Sequence, residues 1–296
     1  MPASPRRKTS SYSFSAAGVV TILSFLLVVG SGCSSSMQYS ASSVGGSASI
    51  QTSSETDEIL RKIGESLERR RSGVQALRGR GTLFISSPDW NGASRVNTII
   101  LARRPSQLRM RGLTPFSTAF DVLSGPERFY LHLPSESEVW TGPAAQLGSL
   151  TGLPIVPEDV VAALFAEPFG ELRELRILRY DHSRVEVEWR LESGERAVGV
   201  FERSRMLPSE LSIIRKGEKS LILKYTDYLL EPDGWWPRGI RLHWPQEHAR
   251  LHVDLHEIEL NPNFKEGSFE FSPPQDVQWY EYDGDEVGAA RSNGEY

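Results

Sequence analysis

The segment from Arg184 to Glu192 alternates strictly between apolar and charged side chains. One parity carries Val185, Val187, Trp189 and Leu191. Because successive side chains of a strand point to opposite faces, this pattern predicts a strand with one buried face and one solvated face. Similar runs between turn residues predict further strands over residues 78–86, 95–103, 107–112, 119–124, 128–133, 136–141 and, after residue 210, four more. The chain is thus predicted to contain about eleven strands.

The sequence predicts only a few helical segments. An amphipathic helix precedes the strands, with Ser54 or Thr56 as its cap, an apolar stripe that includes Ile59, Ile63 and Leu67, and a break at Gly73. Short helical segments are expected at 147–150 and from Pro157 to Phe165. Strands do not alternate with helices, so the sheet is predicted to be antiparallel rather than parallel.

The last long strand changes its parity. Leu251, Val253 and Leu255 share one face, whereas the apolar residues Ile258 and Leu260 fall on the other parity. A β-bulge inserts one extra residue and shifts the alternation in this way. The sequence therefore predicts a bulge near His256.

The number of strands exceeds what a few short helices can cover. A large sheet with one apolar face either closes on itself into a barrel filled with side chains, or leaves an apolar cavity large enough for lipid. The residues alone leave both alternatives open.

The first 33 residues have the pattern of an export signal. Arg6, Arg7 and Lys8 precede an apolar run from Ala16 to Val29, which is shorter than the ~20 residues of a membrane-spanning helix. The run ends in small residues and Cys33, the one cysteine in the chain, as in a bacterial lipobox, although Gly30 stands where Leu is usual. Residues 1–32 are predicted to be a lipoprotein signal peptide and Cys33 the site of lipid attachment. A simple secretory signal with a free Cys33 is the alternative.

Composition divides the rest of the chain. Residues 33–54 are rich in Ser, Gly and Ala and are predicted to be a flexible tether. Residues 55–276 form the folded domain, and the acidic, Gly-rich residues 277–296 are predicted to be disordered. Removal of residues 1–32 changes the charge from −5 (33 basic, 38 acidic) to −8 (30 basic, 38 acidic). This charge argues against nucleic acid as a partner, and against a polybasic membrane-binding surface.

No group of residues predicts catalysis or metal binding. His252 and His256 lie in a strand, where four residues of separation place them ~13 Å apart, too far to bind one ion. The sequence contains neither a nucleophile elbow nor a phosphate-binding glycine loop. The chain is therefore predicted not to be an enzyme and to need no cofactor.

The order of a helix, many antiparallel strands and helices inserted midway resembles the LolA/LolB superfamily of lipoprotein carriers and acceptors. The resemblance covers roughly Asp57 to Pro274. It rests on Arg104-Pro105-Ser106-Gln107-Leu108-Arg109, on Glu138-Val139-Trp140-Thr141-Gly142, and on Leu260-Asn261-Pro262 followed by Phe269-Glu270-Phe271-Ser272-Pro273-Pro274.

The resemblance implies a mainly β fold, a half-open antiparallel β-barrel with lid helices and an interior that takes acyl chains. Cys33 places the chain on the LolB side, which carries an exposed apolar residue in the loop after the third strand. The corresponding loop is 112–118, where Phe116 at the tip, with Leu113 and Pro115, is expected to enter the membrane. Phe116 folded into the core is the alternative, and Trp90 is a weaker candidate for the same role.

The resemblance also gives the expected interior and partners. Arg109 is expected either inside the barrel, bonded to the lid, or on the outer face. The remaining lining is expected from Phe84, Ile100, Leu131, Val187, Trp189, Leu223 and Leu242. The expected protein is a monomeric, lipid-anchored acceptor on the periplasmic face of the outer membrane, with an acylated lipoprotein or lipid cargo and a LolA-like carrier as partners. A sensory or protein-binding module resembling RseB, and a purely structural lipoprotein, are the alternatives.

Overall fold

The computed structural model describes residues 53–88, 93–167, 173–232, 234–272, 274–284 and 286–289. The signal peptide expected over residues 1–32, Cys33 and Trp90 lie outside the described residues, as does the tether up to residue 52. Within the described part, the fold consists of one large sheet and three α-helices. This confirms the prediction of a mainly β fold.

The helices are α1 (Ser53–Gly73), α2 (Leu147–Thr151) and α3 (Pro157–Leu164), with a 3₁₀ turn at Ala144–Gln146. The first strands are β1 (Ala76–Ser86), β2 (Ala93–Arg103), β3 (Gln107–Leu113), β4 (Thr118–Ser124), β5 (Arg128–Leu133) and β6 (Glu138–Pro143). After α3 follow β7 (Arg173–Tyr180), β8 (Arg184–Arg190), β9 (Arg196–Glu202), β10 (Leu207–Arg215) and β11 (Glu218–Glu231). The last strands are β12 (Gly234–Trp244), β13 (Ala249–Leu260), β14 (Gln278–Asp283) and β15 (Glu286–Ala289).

The sheet is open and almost entirely antiparallel. Its 15 strands follow the order β15-β14-β6-β5-β4-β3-β2-β1-β13-β12-β11-β10-β9-β8-β7, so β15 and β7 are its two edges. The one parallel pair among the described strands joins β14 to β6. The prediction of antiparallel pairing is confirmed, whereas the predicted number of about eleven strands is too low.

The C-terminal segment is structured over most of its described length. Trp140 of β6 stacks on Tyr280 of β14, with ring centroids 4.6 Å apart and planes inclined by 19°. Aromatic side chains in β14 thus supply apolar surface that acidic composition alone does not reveal. The predicted disorder of residues 277–296 is therefore wrong for β14 and β15.

Helix α1 forms where the apolar stripe predicts it. Glu55 lies in its first turn and Arg70 and Arg71 in its last, an arrangement that suits the helix dipole. Ile59, Ile63 and Leu67 are buried. The helix ends at Gly73, as expected. Within the described residues, no helix is long and apolar enough to cross a membrane.

The register of β1 against β13 contains the predicted bulge. Arg80 pairs with Glu257, but Gly81 pairs with Leu255, so His256 is the extra residue. The parity change seen in the sequence therefore has the expected cause.

The antiparallel order places the turns at two opposite ends of the sheet. Arg104, directly after β2, lies at the same end as the C-terminus of α1 and the β11–β12 hairpin. The β3–β4 turn with Phe116 lies at the other end. These are called the Arg104 end and the Phe116 end below.

Candidate functional site: a filled apolar interior

Most of the expected lining residues share one face of the sheet. Ile100, Val187, Trp189, Leu223 and Leu242 belong to one contiguous buried core. Leu131 is also buried, in a smaller cluster with Phe129, Trp140, Leu147 and Leu150. The sequence parity therefore identified the inner face correctly at these positions.

Phe84 lies on the opposite face. Its neighbours in β1, Leu83 and Ile85, are both buried in the core, and adjacent residues of a strand point to opposite sides. In the register, Phe84 stands beside Arg95 of β2 and His252 of β13. The expectation that Phe84 lines the interior is thus wrong, because four consecutive apolar or small residues hid the true parity of β1.

Arg109 also leaves the sheet on the outer face, between the buried residues Leu108 and Met110. Its guanidinium binds both carboxylate oxygens of Asp121, with Nε–Oδ1 at 3.1 Å and Nη2–Oδ2 at 2.8 Å. Nη1 donates a third hydrogen bond, of 3.0 Å, to the carbonyl oxygen of Ser268. The bond to Asp121 raises the pKa of Arg109. Arg109 thus fixes the segment between β13 and β14 to the outer face, so of its two expected places the outer face is correct and the place in the ligand cavity is wrong.

That outer segment packs through aromatic side chains. The ring of Phe271 stacks on Tyr130 of β5, with centroids 4.9 Å apart, and Trp279 meets both rings edge-on. Phe264 and Phe269 meet edge to face at 5.0 Å. The segment between β13 and β14 therefore packs its aromatic side chains on the outer face of the sheet.

The helices fill the inner face. Ile59, Ile63 and Leu67 of α1 belong to the same buried core as the strands. Val160, Val161 and Leu164 of α3, together with Phe165, join it. An acyl chain can occupy this interior only where helix side chains move away. The described interior is therefore filled with side chains, although the sheet stays open and does not close into a barrel.

Two cavities lie elsewhere. The larger, about 580 Å³, is lined by polar and charged residues of β7–β11, among them Arg179, Arg184 and Glu210. The smaller, about 460 Å³, lies near the Phe116 end between Ser87 and the α2 region. Neither contains any of the expected lining residues. These two cavities therefore do not correspond to the expected lipid site.

The interior also contains charged groups at the Arg104 end. Arg70 is only 8% exposed, and its guanidinium carbon lies 5.0 Å from the centre of the Trp236 ring. Nε of Arg104 donates to the carbonyl oxygen of Val74 at 2.7 Å, and its Nη1 forms an ion pair with Glu167, which follows α3. Burial lowers the pKa of both arginines. Phe165 lies under Arg104, with 4.1 Å from guanidinium carbon to ring centre.

Sequence reasoning missed Arg70, because it stands in the run Arg69-Arg70-Arg71. Its two neighbours are exposed, as expected for arginines on a helix surface. The available signal was spacing: Arg70 is three residues after Leu67 and four before Val74, so it continues the apolar stripe.

The β3–β4 turn presents Phe116 to solvent. The side chain is 98% exposed. The Thr114 backbone N–H donates to the Ser117 carbonyl oxygen at 2.8 Å, and the Ser117 N–H donates to Oγ1 of Thr114 at 3.0 Å. Pro115 is exposed and Leu113 half-buried. The turn thus holds a bare aromatic ring away from the core, so the alternative of an inward Phe116 is wrong.

Asp159 is a half-buried carboxylate in the first turn of α3. Burial, reinforced by the charge of Glu158, raises its pKa from the ordinary 3.8 to about 6, although Arg215 opposes this rise. The folded state therefore binds a proton more tightly than the unfolded chain does between these two pH values. Stability is lost as the pH rises from 3.8 to about 6 and stays lower above that range.

Asp159→Asn is expected to stabilise the protein at pH 8. The interval from 3.8 to about 6 corresponds to about 3 kcal/mol at 1.36 kcal/mol per pKa unit, and partial exposure reduces the expected gain to about 2 kcal/mol. Urea unfolding at pH 8 and at pH 3.5 measures the gain, which should nearly vanish at the lower pH. An equal gain at both pH values contradicts the assignment to ionisation of Asp159.

Comparison with known proteins establishes the fold. No family model and no curated protein matches the chain. A domain from Vibrio parahaemolyticus assigned to outer membrane lipoprotein sorting is similar in structure, with a TM-score of 0.51 and 13% identity over 72% of this chain and 97% of that domain. At such identity the likeness concerns the fold alone. The chain has a LolA/LolB-like fold, as the sequence resemblance implies.

Two further structures are similar to this chain at lower TM-scores. A DUF1329 family protein from Desulfovibrio piger is 12% identical over 72% of this chain and 97% of its own, with a TM-score of 0.49. A LolA superfamily protein from Nitrosomonas europaea is 11% identical over 70% of this chain and 96% of its own, with a TM-score of 0.48.

Proposed function

We propose that this chain is an outer-membrane lipoprotein that binds acyl chains on the inner face of its sheet and accepts or inserts lipoproteins at that membrane. The observation that carries the proposal is the apolar inner face of an open sheet, covered by helices rather than closed by strand pairing. Side chains of α1 and α3 occupy the place that acyl chains take after the helices move. The similar domain from Vibrio parahaemolyticus, assigned to lipoprotein sorting, supports this function.

Burial of acyl chains supplies the driving force. Each buried CH₂ contributes about 0.8 kcal/mol, so a sixteen-carbon chain gains on the order of 12 kcal/mol before the cost of moving the helices is subtracted. Affinity is therefore expected to rise with chain length. Cys33 carries the anchor, and a soluble LolA-like carrier supplies the cargo from the periplasmic side.

Mass spectrometry of an organic extract from the purified full-length protein tests this function. Acyl chains that copurify in a stoichiometric amount, beyond those bound covalently to Cys33, support it. Their absence, with no binding of added acylated peptide, favours the structural alternative, which the filled interior also suits. A stable protein partner without lipid favours the module resembling RseB.

Phe116→Glu is expected to slow delivery. A charge at a 98% exposed position leaves the fold intact but opposes entry of the turn into the headgroup region. We expect transfer of a fluorescent acylated peptide into phosphatidylethanolamine–phosphatidylglycerol vesicles to slow about ten-fold, the effect of about 1.4 kcal/mol on the barrier.

Leu230→Glu is the matched control for this experiment. Leu230 is also apolar and exposed, but it lies in the β11–β12 hairpin at the Arg104 end. Its replacement should leave the transfer rate near that of the unmodified protein. If Phe116→Glu transfers cargo at the original rate, the turn has no part in delivery.

A further inference from the structure

The interior of the sheet holds more positive than negative charge at the Arg104 end. Arg70 and Arg104 each carry a full positive charge, and Glu167 is the carboxylate with which Arg104 pairs there. Nη1 of Arg70 and Nη2 of Arg104 are buried without a hydrogen-bond partner among the described residues. Each of the two buried guanidinium groups therefore has one nitrogen whose N–H groups donate to no acceptor in the described structure.

The aromatic rings account for only part of this arrangement. Trp236 and Phe165 present their faces to the two guanidinium groups, which offsets some of the lost hydration. A ring face cannot accept the in-plane N–H bonds that Nη1 and Nη2 still offer. Because an unpaired buried charge is costly, the pair is explained best by an acceptor that arrives from outside.

A third donor belongs to the same cluster. The hydroxyl of Tyr225 in β11 is buried without a partner in the described structure, and the side chain is only 4% exposed. Tyr225 belongs to the same buried core as Trp236, the ring on which Arg70 packs. Burial raises the pKa of Tyr225, and the charge of Arg70 opposes this rise. Guanidinium N–H groups and a phenol complement the oxygens of an anion.

We propose that Arg70 and Arg104, with Tyr225, form an internal site for the anionic headgroup, phosphate or carboxylate, of an amphiphile whose chain enters the apolar core. The acyl part of this inference rests on the proposed function, whereas the anion site does not. The diacylglyceryl cysteine of a lipoprotein has no phosphate or free carboxylate of its own. The anion site therefore takes a phospholipid or a fatty acid, a second class of ligand beside the lipoprotein cargo proposed above.

Isothermal titration of the full chain with two lipids of the same acyl chain tests the inference. The probes are 1-oleoyl-lysophosphatidylglycerol, which is anionic, and monooleoylglycerol, which is neutral, both below their micelle concentrations. We expect the anionic lipid to bind about ten-fold more tightly, the order of affinity that one charge-assisted hydrogen bond supplies. Arg70→Met should reduce its affinity to that of the neutral lipid.

Arg69→Met is the matched control, because Arg69 is the adjacent but exposed arginine of α1. It should keep the preference for the anionic lipid. Nη1 of Arg70 has no hydrogen-bond partner among the described residues, so Arg70→Met removes a costly buried charge and is expected to fold. Equal binding of both lipids by the unmodified protein, or an unchanged preference in Arg70→Met, overturns the inference.

A measurement with inorganic phosphate distinguishes a lipid headgroup from free phosphate as the ligand of the site. If neither lipid binds, the acyl-binding function fails, and thermal unfolding in sodium phosphate against sodium chloride of equal ionic strength decides the anion site. A higher Tm in phosphate for the unmodified protein but not for Arg70→Met supports a site for free phosphate. No difference between the two salts, together with no lipid binding, overturns the anion site as well.

Discussion

Gly81→Ala is expected to destabilise the protein by about 3 kcal/mol, the upper part of the range for overpacking. A Cβ atom at Gly81 would lie 1.9 Å from the carbonyl oxygen of Asp254 and 2.9 Å from Cα of Leu255. Both atoms belong to the backbone of β13, so no side-chain rotation can relieve the contact. The strands must separate at the bulge, where their pairing is already irregular. Urea unfolding of the variant measures the loss.

Gly64→Ala is the control for the same substitution. Gly64 lies within α1, and a Cβ atom there meets nothing within 4 Å. Alanine is favoured over glycine inside a helix, so this variant should gain about 0.5 to 1 kcal/mol. If Gly81→Ala unfolds at the same urea concentration as the unmodified protein, the backbones of β1 and β13 are not in close contact at Gly81.

The sequence predicted well those features that repeat along the chain. The alternation in β8 identified Val187 and Trp189 as inward residues, and both are buried. The parity change in β13 located the bulge at His256. Each of these predictions rests on a period of two, which is a local property of any strand with one buried face.

The strands that were missed do not show this period clearly. Gly199 interrupts β9, and β7 carries arginine at its edge-strand positions 173, 176 and 179. The strand β14 is acidic and aromatic, which resembles a tail in composition. β14 pairs with β6, which is distant in sequence, and composition does not reveal such pairing, whereas β7 and β9 pair with strands adjacent in the chain and were missed because their alternation is weak.

The candidate site was predicted only in part for the same reason. The inward position of Ile100 and the outward position of Arg109, between Leu108 and Met110, both follow from alternation, but the pattern does not reveal that Ser268, far along the chain, accepts a hydrogen bond from Arg109. Arg70 lies inside because the helix stripe continues through a run of arginines. Charge is a good guide to exposure on average, and it fails at positions where the fold buries a cation.

Removal of Glu167 from its ion pair with Arg104 is expected to cause the second large loss of stability. Their side chains are only 11% and 15% exposed. Removal of one partner from a buried pair costs about 3 to 5 kcal/mol, because the other charge stays in the interior without compensation. Arg104 keeps its bond to Val74 and its contact with Phe165, so Glu167→Ala is expected near the lower value. Chemical denaturation at pH 7 measures the loss.

The double variant Arg104→Met/Glu167→Ala separates the buried charge from simple loss of packing. With both charges absent, most of the lost stability should return, since replacement of a buried pair by apolar groups is often neutral. Glu65→Ala provides an exposed reference, because Glu65 pairs with Arg61 on the surface of α1 and should change stability by less than about 0.5 kcal/mol. If the double variant is no more stable than Glu167→Ala, Glu167 stabilises the protein through its packing. The interaction between the end of α3 and the β2–β3 turn is then not electrostatic.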